Sequence, residues 1–155
     1  MGRFGYSVKI KDREEEKIAK AIGIELRISP KLSVEICTAV RKKNVEKAKE
    51  FLNDVVGMKR PVPMKRFKTG IAHRKGLEKA CAGKYPVKAA SQILKVLESA
   101  EANAEYKGLD TERLFIKHIS TQRGRVIRGI IPRAFGRATA HNEQTTNIEV
   151  ILQER

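Results

Sequence analysis

Residues 113–142 contain no acidic side chain, and this stretch constrains the fold more than any other part of the chain. Two strand-like segments, 113–122 and 144–152, enclose about twenty residues that show no strand alternation and no ordinary turn. A structureless connection of that length is uncommon in a compact domain unless it is functional or disordered. Its cations repel one another, so a polyanion is the simplest partner for them. We therefore predict a hairpin that carries a basic arm into RNA. The basic residues of the stretch are Arg113, Lys117, Arg123, Arg125, Arg128, Arg133 and Arg137.

The whole chain is also strongly basic, with 33 Lys and Arg against 18 Asp and Glu and a net charge of +15. Such a charge favours a nucleic acid as the partner, and an anionic membrane surface is the second choice. The membrane alternative weakens because no run approaches the roughly 18 apolar residues of a spanning helix. The N-terminal segment lacks the apolar core of a signal peptide. We expect a cytoplasmic protein without a membrane partner and without a homo-oligomer.

Alternating apolar residues predict three strands, one at about 21–28 and two flanking the arm. In the strand before the arm, we expect Ile119 on the opposite face from Leu114 and Ile116. In the last strand, the side chain of Glu149 is expected to point outward. Together these strands predict one three-stranded antiparallel sheet in an α+β fold, covered on one face by three helices.

Three helices follow from apolar residues that recur at three- and four-residue spacing. Ser29–Pro30 starts the first helix, since serine caps it and proline fits its first position. Asn44 caps the second helix, and Gly57 is expected to end it in the left-handed conformation. The third helix begins at Pro86 and continues to about residue 107. Three of its acidic side chains share one face, which we interpret as a solvated surface rather than a carboxylate site. These are Glu98, Glu101 and Glu105.

We predict a single domain over residues 1–155, with an N-terminal tail that lies extended on a partner or frays. A connector without clean periodicity joins the second and third helices. Residues 55–77, which cover the end of the second helix and most of this connector, contain no acidic side chain. It is either a solvated flexible loop or a second segment that contacts RNA, and we favour the second. The predicted divisions are the tail 1–17, the globular core 18–122 and 143–155, the connector 59–85 and the arm 123–142. The predicted RNA-binding residues are Lys59, Arg60, Lys65, Arg66, Lys68, Arg74, Lys75, Arg123, Arg125, Arg128, Arg133 and Arg137.

Within the arm, residues 123–137 use arginine and no lysine. A guanidinium can grip phosphate at two points and stack on unpaired bases, whereas an ammonium is a mobile point charge. Glycines let the backbone turn or approach closely, and Pro132 would help to fix a bend near the tip. The arm's apolar residues either pack on themselves or fill gaps against bases and neighbouring proteins. The glycines are Gly124, Gly129 and Gly136, and the apolar residues are Val126, Ile127, Ile130, Ile131 and Phe135.

No motif of a hydrolase, a metalloprotease or a nucleotide-binding loop is present, so we expect neither enzymatic activity nor a cofactor. Cys37 and Cys81 are isolated in sequence, and with three scattered histidines they match no zinc-ligand spacing. A disulfide between them is disfavoured in a reducing compartment. The sequence also lacks the signatures of the common RNA-binding modules.

Four segments, "LRISPKLSVEI", "AASQILKVLESAEANAEYKGLD", "RLFIKHI" and "PRAFGRA…IEVIL", occur in this order and carry a resemblance. The chain is similar to the universal large-subunit ribosomal protein twenty-two family over nearly its whole length beyond about residue 18. Its connector and tail resemble the archaeal and eukaryotic branch. Members of that family have a small α+β domain on the outer surface of the large subunit and a long β-hairpin along the peptide exit tunnel.

This resemblance implies a structural constituent of the large subunit that binds large-subunit rRNA and supports its assembly. Expected partners are that rRNA, neighbouring ribosomal proteins and the nascent peptide. The tip segment "GRVIRGIIPRAFGRA" departs from the bacterial pattern, so bacterial tip features do not transfer. The alternative from another class is a free regulatory or chaperone-like RNA binder that acts off the ribosome. The residues expected at the tunnel wall are Gly129, Ile130, Ile131 and Arg133.

Overall fold

A computed structural model of the chain describes residues 5–10, 12–77 and 80–155. It contains three α-helices, seven strands and two short 3-10 helices among these residues. None of the described helices is long and apolar enough to cross a membrane. In chain order the elements are β1 (Ile18–Leu26), α1 (Pro30–Val40), α2 (Val45–Val56), β2 (Val62–Pro63), β3 (Gly83–Lys84), α3 (Val87–Tyr106), β4 (Leu114–Ile127), β5 (Ile130–Pro132), β6 (Ala138–Ala140) and β7 (Glu143–Glu154), with 3-10 helices at Asp12–Lys17 and Thr111–Arg113.

The main sheet has the order β1-β7-β4 with antiparallel neighbours, which confirms the predicted α+β fold. Strand β1 begins at Ile18, earlier than the expected residue 21, because Ile18 and Ala19 are fully buried and extend the pairing with β7. It also ends earlier than expected. Glu25 takes a left-handed φ of 54° within a register shift between Gly23 and Leu26, and Leu26 is the last residue of β1 that pairs with β7.

The helices lie on one face of this sheet, as predicted. Helix α3 packs on β1 and β7, α1 packs on β4, and α2 packs on α3. Helix α3 approaches β1 so closely that a Cβ atom at Gly23 would lie 2.7 Å from Cγ2 of Val96. Glycine is therefore required at that position for the two elements to pack. The largest fully buried side chains are Ile18, Ile36, Leu52, Met64, Ile93, Leu97, Leu114, Ile116, Ile119, Ile148, Ile151 and Leu152.

The predicted helix boundaries are confirmed with one exception. Helix α1 starts at the expected serine, although the main-chain carbonyl of Ser29, and not its side chain, accepts the bonds from Ser33. Asn44 accepts the N–H of Glu46 and caps α2 as expected. The prediction that Gly57 is left-handed is wrong, because its φ is −73° and Met58 takes the positive φ of 56°. The turn that closes α2 therefore forms one residue later than expected. The N–H of Lys59, the residue after Met58, donates to the carbonyl of Asp54.

The acidic face of α3 is solvated only in part. Glu98 and Glu105 are exposed, but Glu101 forms an ion pair with Lys49 of α2 and its side chain is 19% exposed. The expectation that all three glutamates face solvent is therefore wrong for Glu101. The sequence could not show this, because the pairing depends on how α2 packs against α3.

A bulge in β4 overturns the expected faces of that strand. Ile116 pairs with Leu152 and His118 pairs with Ile151, so β4 contains one residue more than β7 between these pairs. The alternation shifts phase at that point. As a result Ile119 is fully buried on the same face as Ile116, and the prediction that it lies opposite is wrong.

Glu149 was expected to point outward, and it is only 2% exposed because the N-terminal segment covers it. Its carboxylate accepts the backbone N–H of Ser7 at 2.8 Å, the hydroxyl of Ser7, and the hydroxyl of Ser120 at 2.6 Å. Nε2 of His118 lies 2.9 Å from the same carboxylate. The predicted extended tail is therefore wrong in its described part, because Ser7 is fastened to the open face of the sheet and Asp12–Lys17 is helical. Residues 1–4 and 11 of that tail lie outside the described residues.

These contacts make the stability of the fold dependent on pH. Burial raises the pKa of Glu149, but the hydrogen bonds from Ser120, Ser7 and His118 outweigh burial and lower it from 4.5 to about 2. A folded-state pKa below the unfolded value means that the carboxylate stabilises the fold above pH 4.5. This contribution is then lost as the pH falls towards 2.

We expect Glu149→Gln to lower the free energy of unfolding at pH 7 by at most about 3.5 kcal/mol, at about 1.4 kcal/mol per pKa unit. The gap between variant and wild type should narrow as the pH falls from 4.5 and nearly close by pH 2. Urea unfolding at a series of pH values measures both. An equal gap at pH 7 and pH 2.5 would contradict the assigned role of this carboxylate.

Candidate nucleic-acid interface

Every cation that the sequence predicts to bind RNA has an exposed side chain in the structure. They occupy two places on the fold, the arm beyond the end of β1 and the connector between α2 and α3. The two stretches that carry these cations, 113–142 and 55–77, contain no Asp or Glu. The charge of both segments is therefore presented to solvent.

The arm is a hairpin along nearly its whole length. Pairing of β4 with β7 continues to Ile127 and Glu143, the N–H of His141 donates to the carbonyl of Gly129 at 2.7 Å, and β5 pairs with β6 beyond that. The predicted long β-hairpin arm is thus confirmed, although the sequence of residues 123–142 showed neither strand alternation nor an ordinary turn. Both faces of the arm are solvated, so its strands have no apolar alternation for the sequence to reveal.

The tip is a tight turn over residues 133–137. The N–H of Arg133 donates to the carbonyl of Arg137 at 2.7 Å, and Phe135 and Gly136 have positive φ values of 59° and 68°. Pro132 is the last residue of β5 and so borders the turn. The predicted close approach at Gly129 is confirmed, because a Cβ atom there would lie 2.6 Å from the carbonyl oxygen of His141.

The apolar side chains of the arm do not form a core of their own. Phe135 is 95% exposed and Ile130 is 75% exposed, while Val126 and Ile131 are exposed to a smaller degree. Of the two alternatives, packing of the tip on itself is not what the structure shows. A surface this apolar at the end of a charged arm is typical of a contact site for another molecule.

The arginines of the arm differ in their partners. The guanidinium of Arg125 lies 3.0 Å from the carboxylate of Glu25, which holds the base of the arm against β1. Nε of Arg133 donates to the hydroxyl of Thr139 across the tip. Arg125 therefore has part of its charge balanced within the chain, in spite of its exposed position.

The connector is anchored to the core at several points, so the flexible-loop alternative is wrong for its described part. Strands β2 and β3 pair with each other, and Val62 and Met64 are buried. The buried carboxylate of Glu35 in α1 accepts the N–H groups of Arg66 and Phe67 at 2.6 and 2.8 Å. Residues 78–79 of the connector lie outside the described residues.

Connector and arm meet at the start of α1. A cleft of about 590 Å³ lies between the Arg66–Phe67 segment, the first turn of α1 and the base of the arm. Lys31 contributes from α1 and Arg123 from the arm. The two basic segments thus meet at this cleft, where Arg66 of the connector and Arg123 of the arm line the same walls.

The sequence of the chain agrees with this architecture. A family described as ribosomal protein L22p/L17e matches residues 21–153. The chain belongs to this family. As a member of the L22p/L17e family it is a structural ribosomal protein and not an enzyme.

Relatives of this L22p/L17e family member are named large ribosomal subunit protein uL22. The relative from Archaeoglobus fulgidus is 54% identical over 155 residues, which cover 100% of this chain and 99% of the relative. The relative from Methanopyrus kandleri is 55% identical over 97% of this chain and 95% of its own length. That from Methanocaldococcus jannaschii is 48% identical over 99% and 97%. The resemblance to the archaeal branch is confirmed.

Both cysteines of this L22p/L17e protein are free thiols. Cys37 is buried in α1 and Cys81 is exposed in the connector. Burial raises the pKa of the Cys37 thiol to about 12, although Arg41 opposes the shift. The described residues also contain no group of three or more His, Cys, Asp or Glu that could hold a metal ion.

Sequence reasoning missed three residues that shape this surface, namely Lys31, Glu35 and Phe67. Two of them could have been recognised from the sequence. Lys31 places a cation in the first turn of α1, where the helix dipole disfavours positive charge, and Phe67 is an aromatic residue inside a basic run. Glu35 could not have been recognised in this way, because its spacing in α1 is that of an ordinary helical position.

We expect Glu35→Ala to free the Arg66–Phe67 segment, since it removes the acceptor of two backbone N–H groups. The free energy of unfolding should fall by about 1–3 kcal/mol, and both amides should exchange faster with solvent. Glu35→Gln is the matched control, because its side-chain carbonyl can accept the same bonds. Hydrogen exchange resolved at these two amides measures the effect. Unchanged exchange in the alanine variant would show that Glu35 does not position the connector.

Proposed function

We propose that the chain is a structural component of the large ribosomal subunit that binds large-subunit rRNA and supports its assembly. One observation carries this proposal: the predicted RNA-binding cations are all exposed, on two segments that lack acids and that meet at one cleft. Family membership and the names of the archaeal relatives support the same function. Neighbouring ribosomal proteins are further partners in this proposal.

The arm has the length and surface to act inside folded RNA. At about 3.3 Å per residue, the outgoing side of the hairpin from Arg123 to Arg133 spans roughly 30 Å. We propose that it reaches from a domain on the subunit surface to the peptide exit tunnel. There the tip would line the tunnel wall through Gly129, Ile130, Ile131 and Arg133. Its exposed apolar side chains suit contacts with bases, neighbouring proteins and the nascent peptide.

Phosphate contacts supply most of the affinity in this proposal. Arginine forks bind phosphate oxygens at two points, and each contact releases counterions from the RNA. Affinity should therefore fall steeply as the salt concentration rises. Specificity would come from the shape of the folded RNA that admits the arm, since phosphate contacts alone carry no sequence information.

In the competing hypothesis, the protein is a free RNA-binding regulator or chaperone that acts off the ribosome. Large subunits isolated from cells that express the chain, and washed with high salt, distinguish the two. A ribosomal component interlocked with folded rRNA stays with the particle through the wash. A regulator held only by surface charge is released.

We expect the triple variant Arg128→Ala, Arg133→Ala and Arg137→Ala to bind large-subunit rRNA from Archaeoglobus fulgidus more weakly than the wild type. Arg125 is left unchanged because it pairs with Glu25. The slope of log K against log salt concentration should decrease in magnitude by about 2 to 3, at about 0.7 to 0.9 per lost contact. Filter binding at several salt concentrations measures this slope.

A second triple variant removes the same charge from elsewhere on the surface. Lys47→Ala, Lys95→Ala and Arg155→Ala lie outside the two acid-free segments, on exposed positions of α2, α3 and the C-terminal end. This control should retain the slope of the wild type within about one contact. If both triple variants change the slope equally, net charge and not the arm determines binding.

A further inference from the structure

The cleft between the connector and the base of the arm has the features of a site for one nucleotide. From its geometry we infer that it binds a single unpaired nucleotide of the rRNA, with the base against Phe67 and the phosphate among Lys31, Arg66 and Arg123. This inference rests on the proposed function, which supplies the RNA. It goes further by assigning a defined pocket to an extrahelical base.

Phe67 is the aromatic platform of the proposed site. Its ring is half-buried and borders two clefts, the one of about 590 Å³ and a neighbour of about 410 Å³. Lys31 and Arg66 line both clefts with it. Both volumes lie within the roughly 300–1,000 Å³ that is typical of small-ligand sites. The walls can therefore accommodate a base and its sugar-phosphate.

The cations beside the ring do not block it. Nζ of Lys31 lies 5.9 Å from the ring centroid and the guanidinium carbon of Arg66 lies 5.7 Å from it. These distances are near the limit of about 6 Å at which a cation still interacts with an aromatic face. A base can replace either cation on the ring at little cost. The displaced cation is then free to bind phosphate.

The platform is ordered before any ligand arrives. Glu35 is 2% exposed and accepts the N–H groups of both Arg66 and Phe67, so the backbone that carries the ring is fixed to α1. A fixed ring loses little conformational freedom on binding, and more of the stacking energy appears as affinity. This distinguishes Phe67 from the 95% exposed Phe135 at the tip of the arm.

Charge around the cleft favours a phosphate and not a neutral ligand. Lys31, Arg66 and Arg123 come from three different elements and converge on it. None of the described residues that line the two clefts is acidic. A base inside an RNA helix is stacked on its neighbours and cannot reach the ring, so the ligand must be unpaired. Stacking accepts any base, since every base has an aromatic face.

Replacement of the ring tests the site in the full-length chain. We expect Phe67→Leu to weaken binding to Archaeoglobus fulgidus large-subunit rRNA between about 5-fold and about 150-fold, which is the effect of losing one stacked base. The salt dependence should stay that of the wild type, because no charge is removed. Phe67→Trp should restore the affinity, since it restores an aromatic face.

Tyr106→Leu is the matched control, because Tyr106 is an aromatic residue that is 95% exposed at the far end of α3. It should bind as the wild type does. If Phe67→Leu also binds as the wild type does, the nucleotide site is wrong while the proposed function stands. If the wild type itself binds this rRNA no better than an unrelated RNA, the proposed function fails, and this inference fails with it.

Ultraviolet cross-linking of the wild-type complex, followed by mass spectrometry, gives a second readout that does not depend on folding of a variant. The expected product joins Phe67 to a nucleotide that is unpaired in the rRNA. A Phe67 cross-link to a nucleotide within a continuous helix would overturn the inference. Cross-links at the arm without any at the Arg66–Phe67 segment would overturn it as well.

Discussion

Strand β7 forms hydrogen bonds along both of its edges, and this pairing holds in one sheet the strands on which the helices pack. Its inward side chains Ile148, Val150 and Leu152 are fully buried under α3, so its register cannot slip without exposing them. Pairing with β1 ends at Thr146, whereas pairing with β4 continues to Glu143. The arm is therefore the part of the hairpin that has neither a third strand nor a helix beneath it. The packed core therefore sets the direction in which the arm extends.

Several acidic side chains of this chain are used within its own structure. Glu149 fastens the tail, Glu35 fastens the connector, Glu25 pairs with the base of the arm, and Glu101 joins α2 to α3. Each of these contacts satisfies a donor that belongs to the fold. The cations of the arm and connector are left exposed. The net charge of +15 is thus presented to a partner by geometry as well as by composition.

The sequence predicted the elements that have a periodic apolar face, and missed those that depend on contacts between distant residues. Helix α3, the three-stranded antiparallel sheet and the exposed arginines followed from local patterns. The burial of Ile119 did not, because a bulge shifts the alternation of β4. Nor did the burial of Glu149, which depends on Ser7 more than a hundred residues earlier in the chain. The anchored connector depends on Glu35, whose partners are backbone N–H groups that no residue type encodes.

We conclude that the core of the fold lies outside the arm, which carries five of the twelve predicted RNA-binding cations. Replacing residues 124–145 by Asn-Gly joins Arg123 to its partner Thr146 through a two-residue hairpin turn. None of the large buried apolar side chains lies in the deleted segment among the described residues. Urea unfolding of this variant should therefore show one cooperative transition, in a protein whose rRNA affinity and salt dependence are both reduced. Loss of the cooperative transition would contradict the claim, because it would show that the arm is part of the core.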